Sequence, residues 1–173
     1  MKRLLQVSAL VLLVAGVRPV AAFDVPQSRA EFVKAVSDGR GASTTETFTV
    51  DQGIEDIYRL LAKKSTACLD VTVKRSGWAG GTYESTSADY NPTVRRVGAG
   101  RVEFALQVVH RPRAIGENAP AGGLYIMAAD IRSLGGRRSE VVLYRSKIGF
   151  KKIVGSLKEW VAGEDTDCPK MRY

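Results

Sequence analysis

The chain has 173 residues, 45% of them hydrophobic and 25% charged, with 26 Lys+Arg against 18 Asp+Glu, a formal net charge of +8 and one histidine. It carries no internal repeat and no low-complexity linker, so it reads as one ordinary folded domain. A single histidine excludes a His-rich metal site and leaves nucleophilic catalysis without its usual base.

At the amino end, Lys2 and Arg3 precede an apolar run from Leu4 to Val17. Arg18 and Pro19 break it, and Val20-Ala21-Ala22 offers the small residues that a signal peptidase reads. Residues 1–22 are therefore expected to be a cleavable signal peptide, and 23–173 a single α+β domain in the periplasm or outside the cell. About 14 apolar residues reach only ~21 Å as a helix, short of the ~30 Å bilayer core, so no transmembrane segment is expected after cleavage. No Cys follows the small-residue box, which argues against a lipid anchor.

Cleavage would remove Lys2, Arg3 and Arg18, leaving 23 cations against 18 carboxylates and a net charge of +5. Most of the remaining cations run in pairs: Lys63-Lys64, Lys74-Arg75, Arg95-Arg96, Arg137-Arg138 and Lys151-Lys152. They read either as solvated surface or as a basic face that meets anionic lipid headgroups or an acidic envelope partner. Nucleic acid is not an expected partner outside the cytoplasm.

After a short extended arm from Phe23 to Pro26, Ser28-Arg29-Ala30-Glu31 has capping-box spacing and opens a short helix to about Ser37. Its length suggests a lid or docking arm. Thr44 to Val50 is rich in β-branched residues and reads as a strand. Asp51 is placed to cap a second helix over 53–67, in which Ile54, Ile57, Tyr58 and Leu61 recur at helical spacing and Cys68 continues the face. Lys63 and Lys64 suit the negative pole near its end.

Strands follow. Leu69, Val71 and Val73 alternate with polar residues, and Gly77 to Gly81 should turn the chain. Thr82 to Ala88 reads as an edge strand, Asn91-Pro92 as a turn, and Thr93 to Val97 as a weak strand. The strongest strand has Val102, Phe104, Leu106 and Val108 on one side and Glu103 and Gln107 on the other. It should form a hairpin with its predecessor across Gly98-Ala99-Gly100. Arg111 to Gly123 is an aperiodic loop, Leu124 to Ile131 a strand, and Ser139 to Ile148 another beyond Gly135-Gly136. Finally Phe150, Ile153, Val154, Leu157, Trp160 and Val161 share one helical face ended by Gly163, and an acidic tail follows.

Two cysteines in an oxidising compartment predict one disulfide, Cys68 to Cys168, joining the carboxyl ends of the two longer helices. The expected fold is α+β: an antiparallel sheet of about five or six strands with two main helices on one face, plus a short N-terminal helix. This order is similar in outline to that of helix-grip and START-like domains, a likeness of topology that no motif accompanies.

Candidate site residues are few. His110 lies in phase with the apolar face of the strongest strand, either as a satisfied core histidine or as a ligand contact. Arg111 and Arg113 beside it could hold a phosphate or carboxylate headgroup if the long loop acts as a gate. Trp78, among glycines, is expected either to fold back onto the core or to mark a contact surface. Glu103 and Asp130 are the carboxylates that an acid/base mechanism could use. The tail acids Glu164, Asp165 and Asp167 lack EF-hand spacing and read as solvated. No catalytic set, no metal site and no cofactor motif is expected.

The leading expectation is a non-catalytic periplasmic binding or envelope-assembly protein that holds an apolar or amphipathic ligand between sheet and helices. The alternative is an interaction module that docks an envelope protein or anionic surface through basic pairs and an edge strand. A carboxylate-based hydrolase stands third.

Overall fold

The structure is a computed structural model and describes residues 25–112 and 118–171. The expected signal peptide, Phe23 and Asp24 of the extended arm, and Arg113 lie outside the described residues.

Three helices and six strands follow one another as α1 (Arg29–Ser37), β1 (Ser43–Val50), α2 (Ile54–Leu69), β2 (Val71–Ala79), β3 (Thr82–Arg96), β4 (Arg101–Arg111), β5 (Leu124–Gly135), β6 (Arg138–Ser146) and α3 (Lys151–Val161). The strands form one antiparallel sheet in the order β1-β6-β5-β4-β3-β2. Five of them make a meander. The first strand closes the far edge against the last, pairing Ser43 with Ser146 and Val50 with Ser139.

Alternation along β4 decides the layers. Val102, Phe104, Leu106 and Val108 are fully buried in one cluster with Ile57 and Leu61 of α2 and Leu157 and Trp160 of α3. The opposite face has its own smaller cluster, where Phe32 and Val36 of α1 pack on Ala128 of β5 beside Tyr125 and Tyr144. Hence α1 is a packed element, not the lid or docking arm that its length suggested, and it covers the second face. Ser28 caps it, its hydroxyl accepting from the Glu31 amide at 3.2 Å, while the Glu31 carboxylate accepts from the Gln27 amide at 2.8 Å.

Several local expectations change. Helix α2 is capped by Gly53 with no side-chain bond, not by Asp51, and it runs on through Cys68 and Leu69. Lys63 and Lys64 therefore lie short of its last turn. They pair instead with Asp165, so the tail is tied to α2 and is not simply solvated. Asn91-Pro92 does not turn the chain. Beyond Tyr90, β3 has lost β2 as a neighbour and pairs only with β4, and on such a one-sided strand the missing proline N–H is tolerated. The two short strands expected on either side of it are thus one strand of 15 residues.

The β2–β3 turn is also tighter than expected. Ala79 pairs with Thr82 across Gly80-Gly81, whose φ values of 56° and 82° are those of the two-residue hairpin turn that glycine favours. Trp78 consequently stands on a strand, opposite Tyr83, and does not fold back onto the core.

Cys68 and Cys168 form a disulfide with a Cα–Cα distance of 5.1 Å across a sequence separation of 100 residues. Replacing either by Ser should lower stability by about 2–5 kcal/mol, read from urea unfolding; unchanged stability would mean that the tail adds nothing to the fold. Trp160 is the largest fully buried side chain, so Trp160→Ala should cost about 3–5 kcal/mol in the same assay.

Candidate binding site

The structure separates the residues singled out by the sequence. His110 is half-buried on β4, opposite Ala88 and on the same side of the strand as Val108. Arg111 follows on the other side. Its Nε donates to Asp89 Oδ2 at 2.9 Å, and Thr72 Oγ1 donates to the other oxygen at 2.8 Å. The hydrogen bond from Thr72, then that from Arg111, holds Asp89 below the usual carboxylate range. Arg111 is therefore engaged in a cross-strand pair through Nε, while most of its side chain stays exposed. Trp78 stands apart from both, in the distal half of β2.

The returning limb of the long loop is anchored. Gln107, buried on the α1 face of β4, donates to Ala121 O at 2.9 Å and Gly123 O at 2.8 Å, and Asn91 Nδ2 donates to Gly122 O at 2.9 Å. At Gly123 the backbone lies so close to β4 that a Cβ would meet Val108 O at 2.2 Å.

A cleft of about 410 Å³ opens where α3 begins. Tyr90 of β3, Phe150, Ile153 and Met171 give it an apolar wall continuous with the main core. Lys151, Lys152 and Lys170 stand around it, and none of them forms an ion pair among the described residues. Phe150 is the N-cap of α3 in the left-handed region, φ 54° and ψ 15°, and supplies no side-chain cap. That conformation costs a non-glycine residue about 1–2 kcal/mol. The cleft thus joins an apolar wall, three ammonium groups and the positive end of a helix, a combination suited to a negatively charged headgroup with an apolar tail.

Sequence reasoning noted Lys151-Lys152 only as one of five basic pairs. The available signal was their position: two cations in a helix's first turn oppose its dipole, and the residue before them cannot cap it. Tyr90, Lys170 and Met171 come from distant segments, and no local pattern unites them.

The carboxylates Glu103 and Asp130 do meet, as register partners on β4 and β5. Arginines saturate them. Arg29 donates to Asp130 at 2.8 Å and lies 3.6 Å from Glu103, Arg101 reaches both at 3.2 Å, and Arg95 binds Glu103 at 2.9 Å. Burial pushes Asp130 up, but the hydrogen bonds and charges of Arg29 and Arg101 together outweigh it and hold the group low. A carboxylate so held is a poor proton donor near neutral pH. Burial, then the Asp130 charge, pushes the neighbouring Tyr144 phenol up. A second recess, of about 210 Å³, is lined by Arg101, Asp130 and Tyr144 among others.

Because the folded pKa of Asp130 lies below its unfolded value, its contribution is complete above the ordinary carboxylate pKa near 4 and is lost as pH falls through the folded value. Asp130→Asn should cost about 1–3 kcal/mol at pH 7, with the difference between the two proteins shrinking as acid protonates Asp130 in the folded state; a difference that stays constant with pH would place the effect elsewhere. Comparison with protein-family models, with curated proteins and with solved structures found no match to this chain.

Proposed function

We propose that the protein is a non-catalytic binding protein of the extracytoplasmic space that takes an amphipathic anion in the cleft at the start of α3. The observation that carries this reading is the meeting there of an apolar wall with Lys151, Lys152 and Lys170. The space between sheet and helices is packed with fully buried side chains, which moves the ligand from the interior to the edge of the core. A cleft of this volume suits a single acyl chain end and its headgroup better than a whole two-chain lipid.

Other features support the setting. The Cys68–Cys168 disulfide suits an oxidising compartment. No helix among the described residues is long and apolar enough to cross a membrane. The element order, similar in outline to helix-grip domains, fits a binding role, though topology alone assigns none. The carboxylate hydrolase is less supported, since Asp130 is held ionised by arginines. Headgroup capture by Arg111 and Arg113 is also less supported, since Asp89 occupies Arg111.

Titration calorimetry with dodecyl phosphate below its micellar concentration tests the proposal. Binding is expected, with dodecyl maltoside much weaker. The double substitution Lys151→Ala and Lys152→Ala should weaken dodecyl phosphate at least tenfold without loss of fold. Equal binding of the neutral detergent, or an unaffected double variant, would remove the cleft as the headgroup site.

A further inference from the structure

We infer that the distal half of the β2–β3 hairpin is an arm that inserts its aromatic tip into an anionic bilayer surface. Pairing of β3 with β4 starts at Ser87 and Arg111, so, among the described residues, positions 82–86 have β2 as their sole strand partner. Arg75 to Ala79 and Thr82 to Thr86 therefore leave the sheet as a two-stranded ribbon, roughly 15 Å long at ~3.3 Å per residue. Residues 74–78 and 80–85 are all exposed.

The tip is uncharged from Ser76 to Tyr83. On it Trp78 and Tyr83 form a cross-strand edge-to-face pair, with ring centroids 5.7 Å apart. They are 77% and 57% exposed, the most open large aromatics among the described residues. Exposed large apolar groups set together at the end of a projection mark an interaction surface, and Trp with Tyr is the pairing favoured at a membrane–water interface.

Charge selects the occupant. Lys74 and Arg75 stand at the root of the tip, with Glu84 the one acid on the ribbon's distal half. The same end of the sheet carries the carboxyl end of β6, after which come Lys147, the 74% exposed Ile148, and the lysines at the start of α3. At the opposite end four cations are neutralised, Arg95 by Glu103, Arg96 by Glu55, Arg101 by Asp130 and Arg132 by Glu140, while Arg137 and Arg138 at the β5–β6 turn have no ion pair among the described residues and no aromatic beside them among the exposed large apolar side chains. The exposed aromatics thus share their end of the sheet with Lys74, Arg75, Lys147, Lys151 and Lys152, a combination of cations and apolar rings that fits a flat, anionic, apolar-cored surface. The inference does not depend on the cleft's ligand.

The chain from Phe23, which holds every core residue described above, is the material for the test. Trp160 is fully buried, so a change in tryptophan fluorescence reports Trp78. With vesicles of phosphatidylcholine containing 30% phosphatidylglycerol, the protein should co-sediment, and its emission should shift to the blue and be quenched by brominated acyl chains. Pure phosphatidylcholine should bind at least tenfold more weakly. The double substitution Trp78→Ala and Tyr83→Ala, outside the core, should retain the thermal unfolding midpoint and lose vesicle binding at least tenfold. Lys74→Gln with Arg75→Gln should reduce the salt dependence of binding. No co-sedimentation, an unshifted emission or an unaffected aromatic variant overturns the inference, as does a tip that crosslinks to an envelope protein while ignoring vesicles. Dodecyl phosphate binding should survive in the aromatic variant, which separates a failure here from a failure of the cleft.

Discussion

The structure depends on a strand that is buried on both faces. From Val102 to Val109 every residue of β4 is buried, yet Glu103 and Gln107 are among them. A buried charge or amide must find partners or destabilise the fold by several kcal/mol. Glu103 finds the arginines at 29, 95 and 101, and Gln107 finds two loop carbonyls. These requirements reach outward. Arg29 is the first residue of α1, and it also donates to Ala129 O at 2.8 Å, so one side chain fixes where that helix enters the second face. Gln107 likewise fixes where the long loop returns, over the strand from which it departed.

Satisfying β4 divides the molecule's charge between the two ends of the sheet. Glu103, Asp130 and Glu140 lie toward the end where β4 begins, and they draw in the arginines of that end. At the opposite end, Asp89 is taken by Arg111 and Thr72. The basic pairs are thus not equivalent, although they look so in sequence. Arg95-Arg96 and Lys63-Lys64 are internal fasteners. Lys74-Arg75, Arg137-Arg138 and Lys151-Lys152 enter no ion pair among the described residues, and the first and last of these share one end of the sheet.

Periodic segments were legible. The faces of α2, α3 and β4, the Ser28 cap and the disulfide could be read because each rests on local spacing or on a choice between two cysteines. The misreadings share a cause, which is that the same dipeptide means different things on a paired and an unpaired strand edge. Asn91-Pro92 is a turn signal until one knows that β2 has ended beside it. Trp78 among glycines suggests a turn until Gly80-Gly81 is seen to be sufficient for one. Of the cleft, only Lys151-Lys152 was visible as a pair. Tyr90, Phe150 and Met171 converge through tertiary packing, to which a local pattern is blind.

The ribbon also poses a problem that its composition answers. A free two-stranded hairpin is marginal in water, so this one must draw its order from the paired sheet at its root and from the Trp78–Tyr83 contact at its tip. Among the described residues its outer strand is an edge of the sheet, the kind of edge whose backbone groups can template another strand. Lys74 and Arg75 stand in the middle of that edge. Two copies pairing antiparallel through β2 would bring these cations against one another with little to neutralise them, so the edge discourages self-association while the same charges remain attractive to an anionic surface. Exposure of an aromatic tip is then tolerable because the strand behind it repels its own copy. The features that look least favourable in water, a bare edge and an open tryptophan, are made compatible by one basic dipeptide.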